Sequence, residues 1–286
     1  MSTRNYSPSR KHFILGVMAS ALAASVWQSQ AQIVTLTDQN SVAQIDTGSS
    51  AGMFNWSVQG QNQLAQQWFW FRVGPSGAEH PINTISAPTI TTPNARTLYT
   101  TYNNGAFSVE VDYSLTGGSA PSGRSDIGES IRINNLTGAP LDFHFFQYSD
   151  FDLGGLTGGQ TVQLGRNLGG FFNEALQTGP GAILGETVRS DTGVVPGAAH
   201  GEVGLFNATL VKLNNGVADN LNDNAGPIGP GDATWALQWD MLIDPGSSAL
   251  ISKDKFIQLT VPEPSALALI SVGLAGLALR KRRSSV

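Results

Sequence analysis

Two carboxylates one residue apart, at the end of an aromatic run, are the groups in this chain best placed to do chemistry. Phe143-His144-Phe145-Phe146-Gln147-Tyr148-Ser149 leads into Asp150-Phe151-Asp152, and Leu153-Gly154-Gly155 follows. In a strand, residues i and i+2 point to the same side, so Asp150 and Asp152 could share a hard cation such as Ca²⁺. Asp219, Asn220, Asn222, Asp223 and Asn224 offer a second oxygen-rich stretch. It lacks the spacing and the final Glu of an EF-hand loop, and Asp, Asn and Gly are also the ordinary residues of turns. Glu110 and Asp112 form another same-face pair, loosely at the separation that glycoside hydrolysis uses, although a solvated strand face explains them equally well. Trp68 and Trp70 could stack against a sugar, with packing in a core as the plainer reading.

Acid–base and nucleophilic chemistry have little to build on. His80 precedes Pro81, and His200 lies in a Gly/Ala-rich stretch. No His-Glu-x-x-His zinc helix occurs. There is no cysteine, which removes disulfides and thiolate metal sites together. The chain is therefore read as non-enzymatic, with no catalytic residue assigned and no cofactor expected beyond Ca²⁺ at Asp150 and Asp152.

The elements that must position these groups read as strands. Gly 33 and Pro 14 mean frequent turns. Phe107, Val109, Val111, Tyr113 and Leu115 alternate with Ser108, Glu110, Asp112 and Ser114, the mark of a half-buried strand. Trp235, Leu237, Trp239, Met241 and Ile243 repeat the pattern. Residues 68–73, 97–102, 130–136, 141–148, 203–213 and 255–261 are further strand candidates. Asn104-Gly105 marks a hairpin, and 134–140 a second tight connection. Phe171 to Gln177 is read as a short helix and Asn214 to Asp232 as a long surface loop. The expectation is an all-β, antiparallel two-sheet β-sandwich, jelly-roll-like, forming one domain over residues 32–260.

Both ends look like addresses. At the C-terminus, over 261–286, Pro262-Glu263-Pro264 precedes an apolar run from Ser265 to Leu279 and the basic stop Arg280-Lys281-Arg282-Arg283. As a helix that run is roughly 22 Å long, short of the ~30 Å hydrocarbon core, so it predicts a transmembrane-like helix that anchors only transiently. Pro-Glu-Pro, apolar helix and basic end, in that order, resemble the PEP-CTERM sorting signal of Gram-negative bacteria. The resemblance implies that an exosortase recognises Pro262, Glu263 and Pro264, removes the tail and releases the protein to the cell surface or the exopolysaccharide matrix. An ordinary C-terminal membrane anchor is the alternative.

At the N-terminus Arg4, Arg10 and Lys11 precede the apolar stretch from Phe13 to Ala24, and Ser29-Gln30-Ala31 supplies small residues for signal peptidase. Residues 1–31 thus read as a signal helix cleaved after Ala31. The whole chain carries −5. Without the two ends, residues 32–262 hold 9 basic and 20 acidic residues, a net of −11. Such a body is a poor partner for nucleic acid.

Three function classes follow: an exported, non-catalytic surface or matrix protein; a polysaccharide-binding module, Ca²⁺-dependent in one form; and a secreted glycan hydrolase. The first accounts for both ends, the acidic body and the sparse chemistry.

Overall fold

The structure, a computed structural model, describes residues 32–189 and 197–260. Ala31, Pro262, Glu263, Pro264 and the basic stop at Arg280, Lys281, Arg282 and Arg283 lie outside the described residues, as do the two expected terminal helices. Among the described residues no helix is long and apolar enough to cross a membrane.

Strands dominate. The first six are β1 (Ile33–Asp38), β2 (Ser41–Asp46), β3 (Gly52–Val58), β4 (Gln61–Asn62), β5 (Gln66–Val73) and β6 (His80–Pro81). Next come β7 (Thr89–Asn94), β8 (Thr97–Asn103), β9 (Phe107–Gly117), β10 (Arg124–Asn135), β11 (Leu141–Asp150) and β12 (Gln160–Arg166). The last are β13 (Phe172–Gly179), β14 (Ala182–Arg189), β15 (His200–Leu205), β16 (Ile228–Gly231), β17 (Ala233–Ile243) and β18 (Ser248–Leu259). A short helix, α1 (Ala208–Lys212), follows β15.

Two sheets form. The first runs β1-β2-β3-β5-β11-β17-β15, with β4 on β3 and β6 on β5. The second runs β16-β12-β13-β14-β18-β10-β9-β8-β7. Pairing is antiparallel except where β3 meets β5. The strand order does not establish a jelly roll. The Asn104-Gly105 turn joins β8 to β9 as expected, with Gly105 at φ +86°, where glycine costs least.

Three local expectations are corrected. Residues 172–177 lie in β13, not in a helix: Phe172, Ala175 and Gln177 are buried, and β12 and β14 both pair with the segment. Tertiary pairing overrides the helix propensity of Glu174-Ala175-Leu176. The strand expected over 203–213 stops at Leu205, because Asn207 turns at φ +68° and α1 follows. The loop expected over 214–232 includes a strand, β16, which pairs with β12. The tight connection expected at 134–140 is present, and it carries the chain from β10 in the second sheet to β11 in the first.

The two sheets face each other across an apolar core. Phe107 of β9 meets Phe143 of β11 edge-on at 5.2 Å, and Phe145 stacks on Phe69 at 5.4 Å. Each such buried ring contributes about 1.5–3 kcal/mol. Set into this core is an ionic group from the second sheet. Lys253 Nζ lies 2.5 Å and Lys255 Nζ 2.7 Å from Glu129 Oε2, with Glu186 3.9 Å from both. Gln147 of the first sheet joins it by donating to Glu186 (2.9 Å) and accepting from Lys253. Burial lowers Lys253 to about 8, with Glu129 opposing the shift. For Lys255 burial acts downward too, but Glu129 and Glu186 outweigh it and the pKa is raised.

The opposite face of the first sheet is covered as well. Trp68 Nε1 donates to Asn83 and Trp70 Nε1 to Asn214, while Arg72 pairs with Glu79 and with Asn220. The segments on either side of β6 and around α1 thus roof this face. Among the described residues the outer face of the second sheet has no such cover, and Phe256 and Tyr99 stand exposed on it.

Candidate functional site

On that uncovered face the strand registers set side chains in rows. Thr116, Asp126, Phe256, Gly185, Leu176 and Gln163 lie in line across β9, β10, β18, β14, β13 and β12. At about 4.8 Å per strand the row is roughly 24 Å long. Period-two alternation produces it, since Ile127, Lys255 and Leu184 point to the core while their chain neighbours point out.

Phe256 is the centre of the row. It is 48% exposed, and a Cβ placed on Gly185 would lie 2.5 Å from its ring. The ring therefore lies across the glycine, using the space a side chain would fill, and keeps apolar surface open to solvent. Beside it opens a cleft of about 490 Å³, lined by Thr116, Gly118, Arg124, Asp126, Phe256 and Gln258. Arg124 Nε donates to Gln258 Oε1 at 2.7 Å, which fixes both polar ends. Asp126 adjoins Asp254. Burial first, then the charge and hydrogen bond of Asp254, raise its pKa to about 7. A second cleft of about 380 Å³, lined by Tyr99, Asp112, Ser114 and Ser130 among others, continues the face. Tyr99 is 43% exposed.

The residues singled out from sequence fall in different places. Trp68 and Trp70 are 1% and 0% exposed, so neither offers a face to a sugar; the roofing segments bury them as core residues. Exposed aromatic surface on the open face comes instead from Phe256 and Tyr99. Glu110 and Asp112 do share the open face. Glu110 accepts from Asn134 at 2.9 Å and lies 3.9 Å from Arg132, while burial and then Glu110 raise the Asp112 pKa. The oxygens of the 219–224 stretch are engaged by protein groups: Asn220 accepts from Arg72 and Gln238, and Asp223 pairs with His200.

Asp150 and Asp152 come together with a third carboxylate, Asp232. One oxygen from each lies within 4.8 Å of the others. Burial, then Asp232 and Asp152, push Asp150 up to about 7. Asp232 is far along the chain, and no sequence pattern linked it to the other two.

Two histidines converge on one carboxylate. His144 Nδ1 lies 2.6 Å from Asp240 Oδ1, and His200 Nε2 lies 3.4 Å from Asp240 Oδ2. Gly48-Ser49-Ser50-Ala51-Gly52 has the Gly-x-Ser-x-Gly spacing. It occupies the turn between β2 and β3, not the strand-to-helix turn of a nucleophile elbow.

The family model of the PEP-CTERM protein-sorting motif matches residues 260–283. No curated protein matches the chain. Among solved structures, a bacterial glucoamylase complexed with acarbose is similar at TM-score 0.54 and 8% identity, over 86% of this chain and 34% of that one. A candidate aldose 1-epimerase from Escherichia coli K12 is similar at TM-score 0.53 and 9% identity, over 81% of this chain and all of that one. A galactose mutarotase related enzyme from Lactobacillus acidophilus is similar at TM-score 0.50 and 7% identity, over 80% and 100%. The chain thus spans about a third of the glucoamylase and the whole length of the other two. At these identities the likeness is one of fold.

Proposed function

We propose that this chain is an exported, non-catalytic protein of a Gram-negative bacterium, sorted through its PEP-CTERM tail, whose β-sandwich binds exopolysaccharide on the open face of the second sheet. Signal peptidase would cut after Ala31, and exosortase would act at Pro262, Glu263 and Pro264 during transient insertion of the tail in the inner membrane. The mature protein would then work at the cell surface or in the matrix. The observation that carries the binding reading is Phe256 lying across Gly185 with ring surface exposed and Asp126, Arg124 and Gln258 beside it. Sugars present an apolar ring face edged by hydroxyls, which suits a flat ring bordered by donors and acceptors. The fold likeness to proteins named for sugar chemistry is consistent with this and adds no residue to it.

A second reading, a glycan hydrolase, would have to use the Asp126–Asp254 pair. Glycosidase carboxyls stand about 5–9.5 Å apart so that sugar or water fits between them. Two carboxyls that share a hydrogen bond are closer than that, which suits binding better than hydrolysis.

Affinity electrophoresis of the exported protein in gels cast with its host's polysaccharide tests the reading. Retardation is expected, with Phe256→Ala weakening it about tenfold or more, the loss of roughly 1.5 kcal/mol of ring contact. Equal mobility of wild type with and without polysaccharide would reject it. Release of reducing ends during the run would favour the hydrolase.

A further inference from the structure

We propose that Asp150, Asp152 and Asp232 hold a Ca²⁺ ion that ties two sheet-to-sheet crossings of the chain together, a role separate from polysaccharide binding. Asp150 ends β11 in the first sheet, and Asp152 begins the passage to β12 in the second. Asp232 stands between β16 of the second sheet and β17 of the first. Two passages remote in sequence each bring a carboxylate to the same point.

The three carboxylates are close enough to share one cation. Ca²⁺–oxygen distances are about 2.4 Å, so any two ligands of one ion lie at most about 4.8 Å apart. The three carboxylates meet that limit together. A Mg²⁺ sphere, at about 2.1 Å, is tighter. Asp150 is 4% exposed, and its Oδ1 has no hydrogen-bond partner. Oδ1 of Asp232 is likewise buried and unpartnered. Oδ2 of Asp150 accepts from the Tyr148 hydroxyl at 3.3 Å, and Asp152 accepts from the Gln160 side chain. Among the described residues no Lys, Arg or His forms an ion pair with any of the three. Buried, unpartnered carboxylate oxygens are costly, and a cation is the partner this cluster lacks.

Melting of the exported protein in EDTA, in millimolar CaCl2 and in millimolar MgCl2 tests the site, with calorimetric titration of CaCl2 for stoichiometry. Calcium is expected to raise Tm by about 5 °C or more at a hundredfold excess over Kd, with one ion bound and a smaller effect of magnesium. Asp150→Asn and Asp232→Asn should each abolish the calcium shift. In EDTA they should melt no lower than wild type, because one of three crowded charges is gone. Phe256→Ala should keep the full shift, so failure of the polysaccharide reading leaves this site standing and the reverse. No heat and no shift with calcium, an equal shift with magnesium, or a shift retained in both Asp variants would overturn the proposal.

Discussion

Phe256 shows how one side chain on an exposed face depends on what its neighbours lack. The ring can lie down only because Gly185, its register partner on β14, has no Cβ. The adjacent Asp126–Asp254 pair gives the same face a pH response. Asp126 is raised to about 7, against roughly 3.9 in an unfolded chain. Below about pH 4 both states hold the proton and the fold pays nothing. Between pH 4 and 7 the native state keeps a proton that the unfolded state has lost, so stability falls as pH rises, and above 7 the penalty is complete. Asp126→Asn, which keeps the shape and removes the charge, should therefore match wild type near pH 4. It should exceed wild type above pH 7 by about 1 kcal/mol, after discounting for solvent screening of a half-exposed pair. Urea unfolding at pH 4.5 and 8 checks this; a difference that is the same at both pH values would refute it.

The element that sequence reading served least well is β18. Its pattern, Ile251-Ser252-Lys253-Asp254-Lys255-Phe256-Ile257, buries both lysines and exposes the phenylalanine, the reverse of what polarity alone implies. Lys253 and Lys255 turn inward because Glu129 and Glu186 wait on the neighbouring strands, and no local pattern contains that fact. Where apolar alternation was strong, as in β9 and β17, strand and face were both legible. So was the Asn-Gly hairpin. The strands from Ile33 to Val58 and β12 and β14 were not, because their faces mix small polar residues with single apolar ones. The same divide applies to the sites: Asp150 and Asp152 are neighbours in sequence, whereas Asp232, Gly185 and Asp254 join their partners only through register and crossings. The buried charges of β18 make a firm expectation. Lys253→Met alone should cost about 3 kcal/mol or more, by stranding carboxylate charge in the core, and adding Glu129→Leu should restore part of it. Thermal or urea denaturation of the two variants measures this, and a neutral single variant would contradict it.

For the whole molecule the question is where the folded unit ends relative to the C-terminal sorting motif and the proposed N-terminal signal. Residues 260–283 carry the PEP-CTERM motif, and the fold is fastened right up to its edge. Thr260 donates its N–H to Gly181 at 2.8 Å, and Leu259 donates to Gly123 at 2.8 Å. β18 lies between β14 and β10 in the second sheet, so loss of its last residues would open an inner strand, while a cut at 262–264 would leave every one of these bonds intact. The other end has a matching device. The backbone nitrogen of Gln32 donates to Asp46 Oδ1 at 3.2 Å, and Gln32 accepts from the Thr47 N–H. Cleavage after Ala31 would turn that nitrogen into an ammonium and the hydrogen bond into an ion pair, so processing would strengthen the contact that seats β1. Mass spectrometry of the surface protein from its native host should therefore find an N-terminus at Gln32 and a C-terminus between Pro262 and Pro264, on a body of net charge near −11. Surface protein that still carries Arg280–Arg283 would show that the tail is a lasting anchor.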